Sequence, residues 1–378
     1  MRPKFEEGGK LHAFHSLFDA MDTFFYTPEQ TTVSGCHIRD AVDNKRTMFT
    51  VIIALIPALL FGMYNIGYQH YLSLGQVSCY CDNFWGNLGY GFLKILPMLL
   101  VSYIVGLGIE CIFAQIRKHE VSEGYFVTGM LIPLICPPDV PLWQLAIAVA
   151  FAVIIGKEVF GGTGYNFLNP ALVARAFLFF SYPSQMSGDT VWIAEQGDAI
   201  SGATPLGEML AGGVAPQASV LDMFLGFIPG SVGETSVIAI LIGAVILLVT
   251  GIASWRIMLS IFAGGAAMGL VFNMIGANPY MGMPFYYHFL IGGFMFGAVF
   301  MATDPVTAAQ TNIGKYIYGA LIGIMAVLIR VLNPAYPEGM MLSILLLNVF
   351  APLIDYYVVD ANIRRRAKRA KLLVKNNQ

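Results

Sequence analysis

Three groups of residues in this sequence have types and spacings that could do chemistry. The first is the run Asp198-Ala199-Ile200-Ser201-Gly202-Ala203-Thr204-Pro205. Ser201, Gly202 and Ala203 leave a backbone that a bulky group can approach closely. Thr204 offers a hydroxyl, and Pro205 biases that threonine towards an extended conformation. Asp198 supplies oxygens that could hold a metal or orient a phosphate while such a group is attached. On composition alone the run also reads as an ordinary polar turn. The second group is Gly161-Gly162-Thr163-Gly164 followed by Asn166 and Asn169. Glycines admit a flat ring against the backbone, and the two amides can both donate and accept. Equally, such loops close tight turns between helices. No Gly-Lys-Ser/Thr follows, so this is not a phosphate-binding P-loop. The third group is the acids Glu110, Asp304 and Asp355, each inside or beside an apolar stretch. An ionised group at the bilayer centre costs about 2.5–3.5 kcal/mol on insertion scales, so it needs a partner or a function. Carboxylate oxygens suit a hard cation; the structural alternative is pairing with Arg175 or Arg330.

The elements that must position these residues are membrane helices. Hydrophobic residues make up 57% of the 378 and charged residues only 12%, with a mean hydropathy of +0.67. A soluble chain of this size could not cover its surface with so few charges. The balance of 21 basic and 23 acidic residues argues against nucleic-acid binding. Five cysteines without a CxxC pair exclude a disulfide framework or zinc module, and Cys79-x-Cys81 reads as a loop pair. His12, His15 and His37 have no metal-ligand spacing, so no metal site is expected. The first twenty residues carry no apolar core with a cleavage site and do not read as a signal peptide.

A crossing helix needs about 20 apolar residues, fewer if its ends are buried. That criterion predicts ten spans, near 49–68, 88–114, 124–136, 142–157, 167–182, 235–253, 257–276, 285–303, 316–332 and 340–358. With the N-terminus inside, the inner segments carry cations such as Arg46, Arg117, Lys157, Arg256 and Lys315, and the basic tail follows from Arg364. The outer loops, including 183–234, carry no Lys or Arg, so both termini are expected in the cytoplasm. Residues 1–48 then form a cytoplasmic amphipathic head and 49–182 a first five-helix repeat. An outer loop at 183–234, a second repeat at 235–358 and a basic tail at 359–378 complete the chain. Five helices per half inverts the second half relative to the first. Residues 128–141 resemble 292–307, and Asn169-Pro170-Ala171 resembles Asn333-Pro334-Ala335. Inverted repeats with interrupted helices are a transport architecture, with sites at the interruptions.

The run D-x-x-S-G-A-T at 198–204 resembles the signature at which a flavin transferase esterifies FMN phosphate onto threonine. That signature belongs to membrane subunits of the sodium-pumping NADH:quinone reductase and its Rnf relatives. The resemblance to the B-subunit family of the former continues in order along nearly the whole chain. It runs through FFYTP (24–28), FGMYNIG (61–67), RKHEVSEGYFVT (117–128), GKEVFGGTGYNFLNPAL (156–172) and ARAFLFF (174–180). GIASWRI (251–257), FMATDPV (300–306), VLIRVLNPAYPEGMM (327–341) and NVFAPL (348–353) extend it. The long segment before the first span favours that family over the related, shorter-headed D-subunit of the Rnf complex.

The resemblance implies a subunit of a multi-subunit pump in a bacterial inner membrane. Electrons would pass from NADH, through covalent FMN and a non-covalent riboflavin, to ubiquinone or menaquinone, coupled to Na+ export. It implies FMN on Thr204, outside, within reach of Asp198, Ser201, Gly202 and Ala203, and makes Asn166 and Asn169 the riboflavin candidates. The head, with aromatics such as Phe24, Phe25 and Tyr26, and the inner end of the second span near Gly106 and Glu110 would contribute to the quinone site. Glu110, Asp304 and Asp355 are then the candidates for the cation pathway. Two other readings compete: an Rnf-type ferredoxin:NAD reductase subunit, and a channel or secondary transporter of similar fold, which would not need the 198–204 run.

Overall fold

The computed structural model describes residues 18, 32–38, 44–77, 79–117, 124–195, 202–212, 216, 218–278, 280–333 and 339–376. Among them there are helices and connecting turns, with no strand. Helix α1 is Asn44–Ser73, α2 Phe84–Arg117, α3 Gly124–Ile135, α4 Leu142–Gly156 and α5 Pro170–Ser181. The connection that follows contains two short helices, α6 (Pro205–Gly212) and α7 (Val220–Leu225). Then come α8 (Val237–Val249), α9 (Trp255–Ile275), a broken segment made of α10 (Tyr287–Leu290) and α11 (Phe294–Phe296), α12 (Asn312–Leu332) and α13 (Met340–Asn376). Among the described residues, six helical stretches are long and apolar enough to cross a membrane, those of α1, α2, α4, α9, α12 and α13. Their outward faces carry large apolar side chains such as Leu93, Ile104 and Leu259, as lipid contact requires.

The bundle is held close by glycines. Gly67 and Gly91 let α1 and α2 touch backbone to backbone, against Asn87 and Met63 respectively. Gly264, Gly319 and Gly323 do the same between α9 and α12. With lipid on the outside, close packing rather than hydrophobic exclusion drives such contacts. A Cβ at any of these glycines would overlap the facing helix.

The shorter helices explain where the site forms. At 12 residues, α3 rises only about 18 Å, well short of about 30 Å of hydrocarbon. Its C-terminal carbonyls would be costly to leave bare in the membrane. Gly233 N donates to Leu134 O (2.7 Å) and Val232 N to Cys136 O (3.3 Å), so the segment before α8 satisfies them. The span expected at 285–303 is interrupted: the chain is extended at Ile291, turns left-handed at Gly292 (φ +68°) and widens to a π-turn over Gly297–Met301. Here the exposed carbonyls are satisfied by a side chain. Arg330 donates to His288 O (2.7 Å) and Ile291 O (3.1 Å). The fifth span begins later than expected, at Pro170, because Asn169 caps it: its Oδ1 accepts from Ala171 N at 3.0 Å.

Candidate functional site

The two interruptions meet. Glu234, 7% exposed, lies against Gly293, where a Cβ would stand 2.5 Å from its carboxylate. The same carboxylate accepts from Arg175 Nη1 at 2.7 Å. Sequence reasoning missed this pair because Glu234 lies at the edge of an apolar block rather than within one. An acid at the threshold of a predicted span is the signal that could have found it.

A cavity opens between the N-terminal ends of α1 and α3 and the C-terminal end of the broken segment. Its polar lining includes Thr128, Lys157, Asn166, Asn169, Thr303 and Asp304. A concave site with a few convergent polar groups is where a small molecule is most readily held. Two of the three residue groups singled out from sequence, the glycine–asparagine loop and one of the acids, are thus brought together.

The loop that presents the asparagines is fixed from below. Arg117 reaches from the end of α2 to Glu158, with Nη1 at 3.1 Å from Oε2 and Nη2 donating to the carbonyl at 2.6 Å. Beyond Glu158 the chain turns through Gly161, Gly162 and Gly164, with φ of +123°, +94° and +93°. Side chains are strained in this region, which is why glycine occupies all three places. Asn166 uses its amide on its own loop, accepting from Gly164 N (3.3 Å) and donating to Leu168 O (3.0 Å). Asn169 has given its oxygen to the α5 cap, which leaves its NH2 as the group available to a ligand. The tight-turn reading and the ring-binding reading of this loop are therefore compatible. The backbone turn needs the glycines, and both asparagines line the cavity.

The acids separate into three environments. Glu110 and Lys157 form a buried ion pair, each 3% exposed, so Lys157 rather than Arg175 or Arg330 neutralises Glu110. Gly106, one turn away, meets the phenol ring of Tyr125, whose hydroxyl donates to Ser102 O at 2.8 Å. This patch of α2 faces α3 and the protein interior. Asp304 lines the cavity and accepts from Val306 N (3.1 Å) and Thr307 Oγ (3.0 Å). Asp355 accepts from Gln310 N (2.6 Å), Thr311 N (3.0 Å) and Thr311 Oγ (2.5 Å), at the N-terminus of α12. A carboxylate there satisfies donors that the helix leaves over and faces the positive end of its dipole.

Thr204 lies elsewhere. It is half-buried, and its Oγ accepts from Gly207 N at 3.1 Å, capping α6 with Pro205 in the first helical position. Leu206 is anchored in the second half: its carbonyl accepts from Tyr280 OH (3.2 Å), and its side chain lies beside Gly292. Thr204 therefore stands near the start of the broken segment and Asp304 at its end. Gly202 is buried and Ala203 half-buried, whereas Asp198 and Ser201 lie outside the described residues, as does nearly all of the head. A hydroxyl at the N-terminus of a helix is suited to carry a phosphate, because unpaired backbone N–H groups and the dipole both favour an anion.

The connection leading to Thr204 is moored at Glu195. Lys94 Nζ bridges Glu195 Oε1 (2.9 Å) and Asp139 Oδ1 (3.0 Å), Tyr90 OH donates to Glu195 Oε2 (3.1 Å), and Glu195 N donates to Asp139 Oδ2 (2.8 Å). Lys94, with Tyr90 beside it, holds the Glu195 carboxyl below its ordinary range. The mooring is therefore complete above the ordinary carboxylate pKa of about 4.3 and is lost as pH falls through the lowered value. Lys94→Ala is expected to leave thermal stability within about 1 kcal/mol, since Glu195 is largely exposed. Amide exchange over 183–195 at neutral pH should nonetheless speed up; unchanged exchange would show that the ion pairs do not hold this segment.

Helices interrupted inside the bundle, with their loose ends satisfied by one another and a polar cavity beside them, define a multi-pass membrane protein with an interior site. The chain belongs to the NQR2, RnfD, RnfE family, which it matches over residues 31–364. It is 51% identical to the Na(+)-translocating NADH-quinone reductase B-subunit of Chromohalobacter salexigens, over 98% of this chain and 95% of that one. Against the proteins of the same description from Ectopseudomonas mendocina and Klebsiella pneumoniae the identities are 51% and 49%. These matches cover 97% and 98% of this chain, and 96% and 98% of the relatives.

Proposed function

We propose that the chain is the flavin-bearing B-subunit of a redox-driven sodium pump in a bacterial inner membrane. In this reading it works with the other subunits of an NADH:quinone reductase, passing electrons to ubiquinone or menaquinone while Na+ is exported. The observation that carries the proposal is near-full-length identity of about half to relatives described as Na(+)-translocating NADH-quinone reductase B-subunits, which covers both halves of the bundle and the connection with Thr204. FMN is esterified to Thr204 by a flavin transferase, with its phosphate at the N-terminus of α6. Riboflavin lies in the cavity beside Asn166 and Asn169, and the quinone docks near Gly106 and Glu110 with help from the head. The flavins supply the one-electron chemistry; the protein's part is position, environment and exclusion of water.

The ten-span, five-plus-five arrangement with both termini in the cytoplasm belongs to the same proposal. It is supported by parallel packing in the two halves: α2 on α4 and α4 on α5 in one, α9 on α12 and α12 on α13 in the other. Across the halves, α1 packs on α8, where Gly243 meets Ala54. The short α3 crosses only with its C-terminal end covered by the segment before α8.

Energetically the coupling closes. Moving one cation against about 150 mV costs about 3.5 kcal/mol, which a two-electron drop of roughly 75 mV supplies. The assembled complex in sealed vesicles should take up sodium when NADH and quinone are supplied on the cytoplasmic face. Electron transfer that neither responds to sodium nor moves it would sink the proposal.

A further inference from the structure

The last helix does not stop at the membrane. From Met340 it runs unbroken to Asn376, and after Pro352 it contains no proline or glycine that could bend it. Residues 361–371 are all exposed and carry Arg364, Arg365, Arg366, Lys368, Arg369 and Lys371, with one acid, Asp360, just before them. Asp360 is already paired with Arg364 at 2.7 Å. A positive-inside signal accounts for the number of these charges but not for their arrangement.

The arrangement is that of a seam. Tyr356, Val359, Ile363, Ala367 and Ala370 follow one another at intervals of 3, 4, 4 and 3, and all five are exposed. At 100° per residue they fall in an arc of about 80°. Intervals averaging about 3.5 residues are those of an apolar strip that pairs with a second helix. Arg364 and Lys371 border the strip on one side and Arg366 on the other, with Arg369 further round. A narrow apolar strip with small residues at its far end and cations on both borders fits a helix whose own borders are acidic.

Other occupants fit less well. A second copy of this helix would set like charges against each other along both borders. Nucleic acid has no use for the strip. Lipid headgroups could meet Arg364 to Arg366 but not the rest: from Val359 to Lys371 the helix rises about 18 Å, and about 14 Å remains even at a tilt of 40°. Surface potential decays over about 8 Å at physiological ionic strength.

We infer that the exposed end of α13 is a docking helix for an acidic amphipathic helix of another chain in the assembly. This rests on the chain working within a multi-subunit complex. The test places a photo-reactive phenylalanine analogue at Ala367, on the strip, and in a second variant at Arg365, on the opposite face, in the full chain within the purified complex. The strip position should cross-link to one companion chain at least about fivefold more than the opposite face. The captured segment should hold more Asp and Glu than Lys and Arg. Arg364→Glu, Arg366→Glu and Lys371→Glu together should reduce that product roughly tenfold, whereas lysine at 364 and 366 should keep it. Adducts to lipid or to a second copy, equal yields at both positions, or a captured segment without acidic excess would each overturn the inference. An active complex with no strip cross-link sinks this inference alone. A chain that purifies without companions or activity sinks the functional proposal with it, and that is seen before irradiation.

Discussion

Replacing Thr204 by valine is expected to abolish the flavin fluorescence that the chain carries on a denaturing gel when produced with its flavin transferase. Valine keeps the size and branching of threonine and removes only the hydroxyl through which the phosphate would be esterified. It also removes the cap on α6, since Oγ accepts from Gly207 N. A lost cap costs about 1 kcal/mol, a local effect beside an anchored Leu206. Thr204→Ser separates the two consequences: it restores both the cap and a hydroxyl, and the fluorescent band should return. A band that persists in Thr204→Val would show that the ester is elsewhere. A chain lost from the membrane in Thr204→Val but present in Thr204→Ser would instead make the cap the important function.

That threonine stands out in the sequence through the resemblance of the 198–204 run, since on composition alone the run reads as an ordinary polar turn. The longer helices are legible as apolar blocks, whereas α6, α7 and the end of α13 lie outside the predicted spans. What could not be seen were pairings between distant positions. Lys157 and Glu110 are separated by 47 residues and Arg175 and Glu234 by 59. Charge count alone made Arg175 the obvious partner for the wrong acid. Which cation meets which carboxylate depends on how helices cross, and glycine contacts such as Gly106 on Tyr125 set that crossing. The interruption near Gly292 is not read from the sequence, which predicts one span over 285–303, and nothing local shows that Arg330 satisfies its carbonyls.

The three acids should respond differently to neutralisation, because the structure gives each a different partner. Asp304 is the sharpest case: it lines the cavity, and its two acceptor contacts are to Val306 N and Thr307 Oγ. Asparagine retains an oxygen for the backbone turn, so Asp304→Asn removes charge with little change in shape. If Asp304 holds the transported cation, the sodium concentration for half-maximal quinone reduction should rise at least about tenfold, the loss of about 1.4 kcal/mol of binding. Glu110→Gln should behave otherwise. It leaves the Lys157 ammonium without its buried counter-charge, a defect of about 3–5 kcal/mol, and should lower yield. Neutralising both, as Glu110→Gln with Lys157→Gln, should restore yield. The sodium response of that double variant then reports on the Glu110–Lys157 pair free of the folding defect, with Asp304→Asn as the comparison because Lys157 lines the same cavity. Asp355→Asn loses part of the anchorage of α12 and should cost about 1 kcal/mol without moving the sodium midpoint. Flavin content must be measured in each variant, since Asp304 shares its cavity with Asn166 and Asn169. Loss of the non-covalent flavin from Asp304→Asn, with an unchanged sodium midpoint in the molecules that keep it, would make Asp304 a flavin contact and remove it from the cation route. Wild-type midpoints in Asp304→Asn, in the double variant and in Asp355→Asn together would mean that sodium crosses without these carboxylates. The path would then have to be sought among backbone carbonyls at the interrupted helices, the other oxygen ligands that such a bundle offers a hard cation.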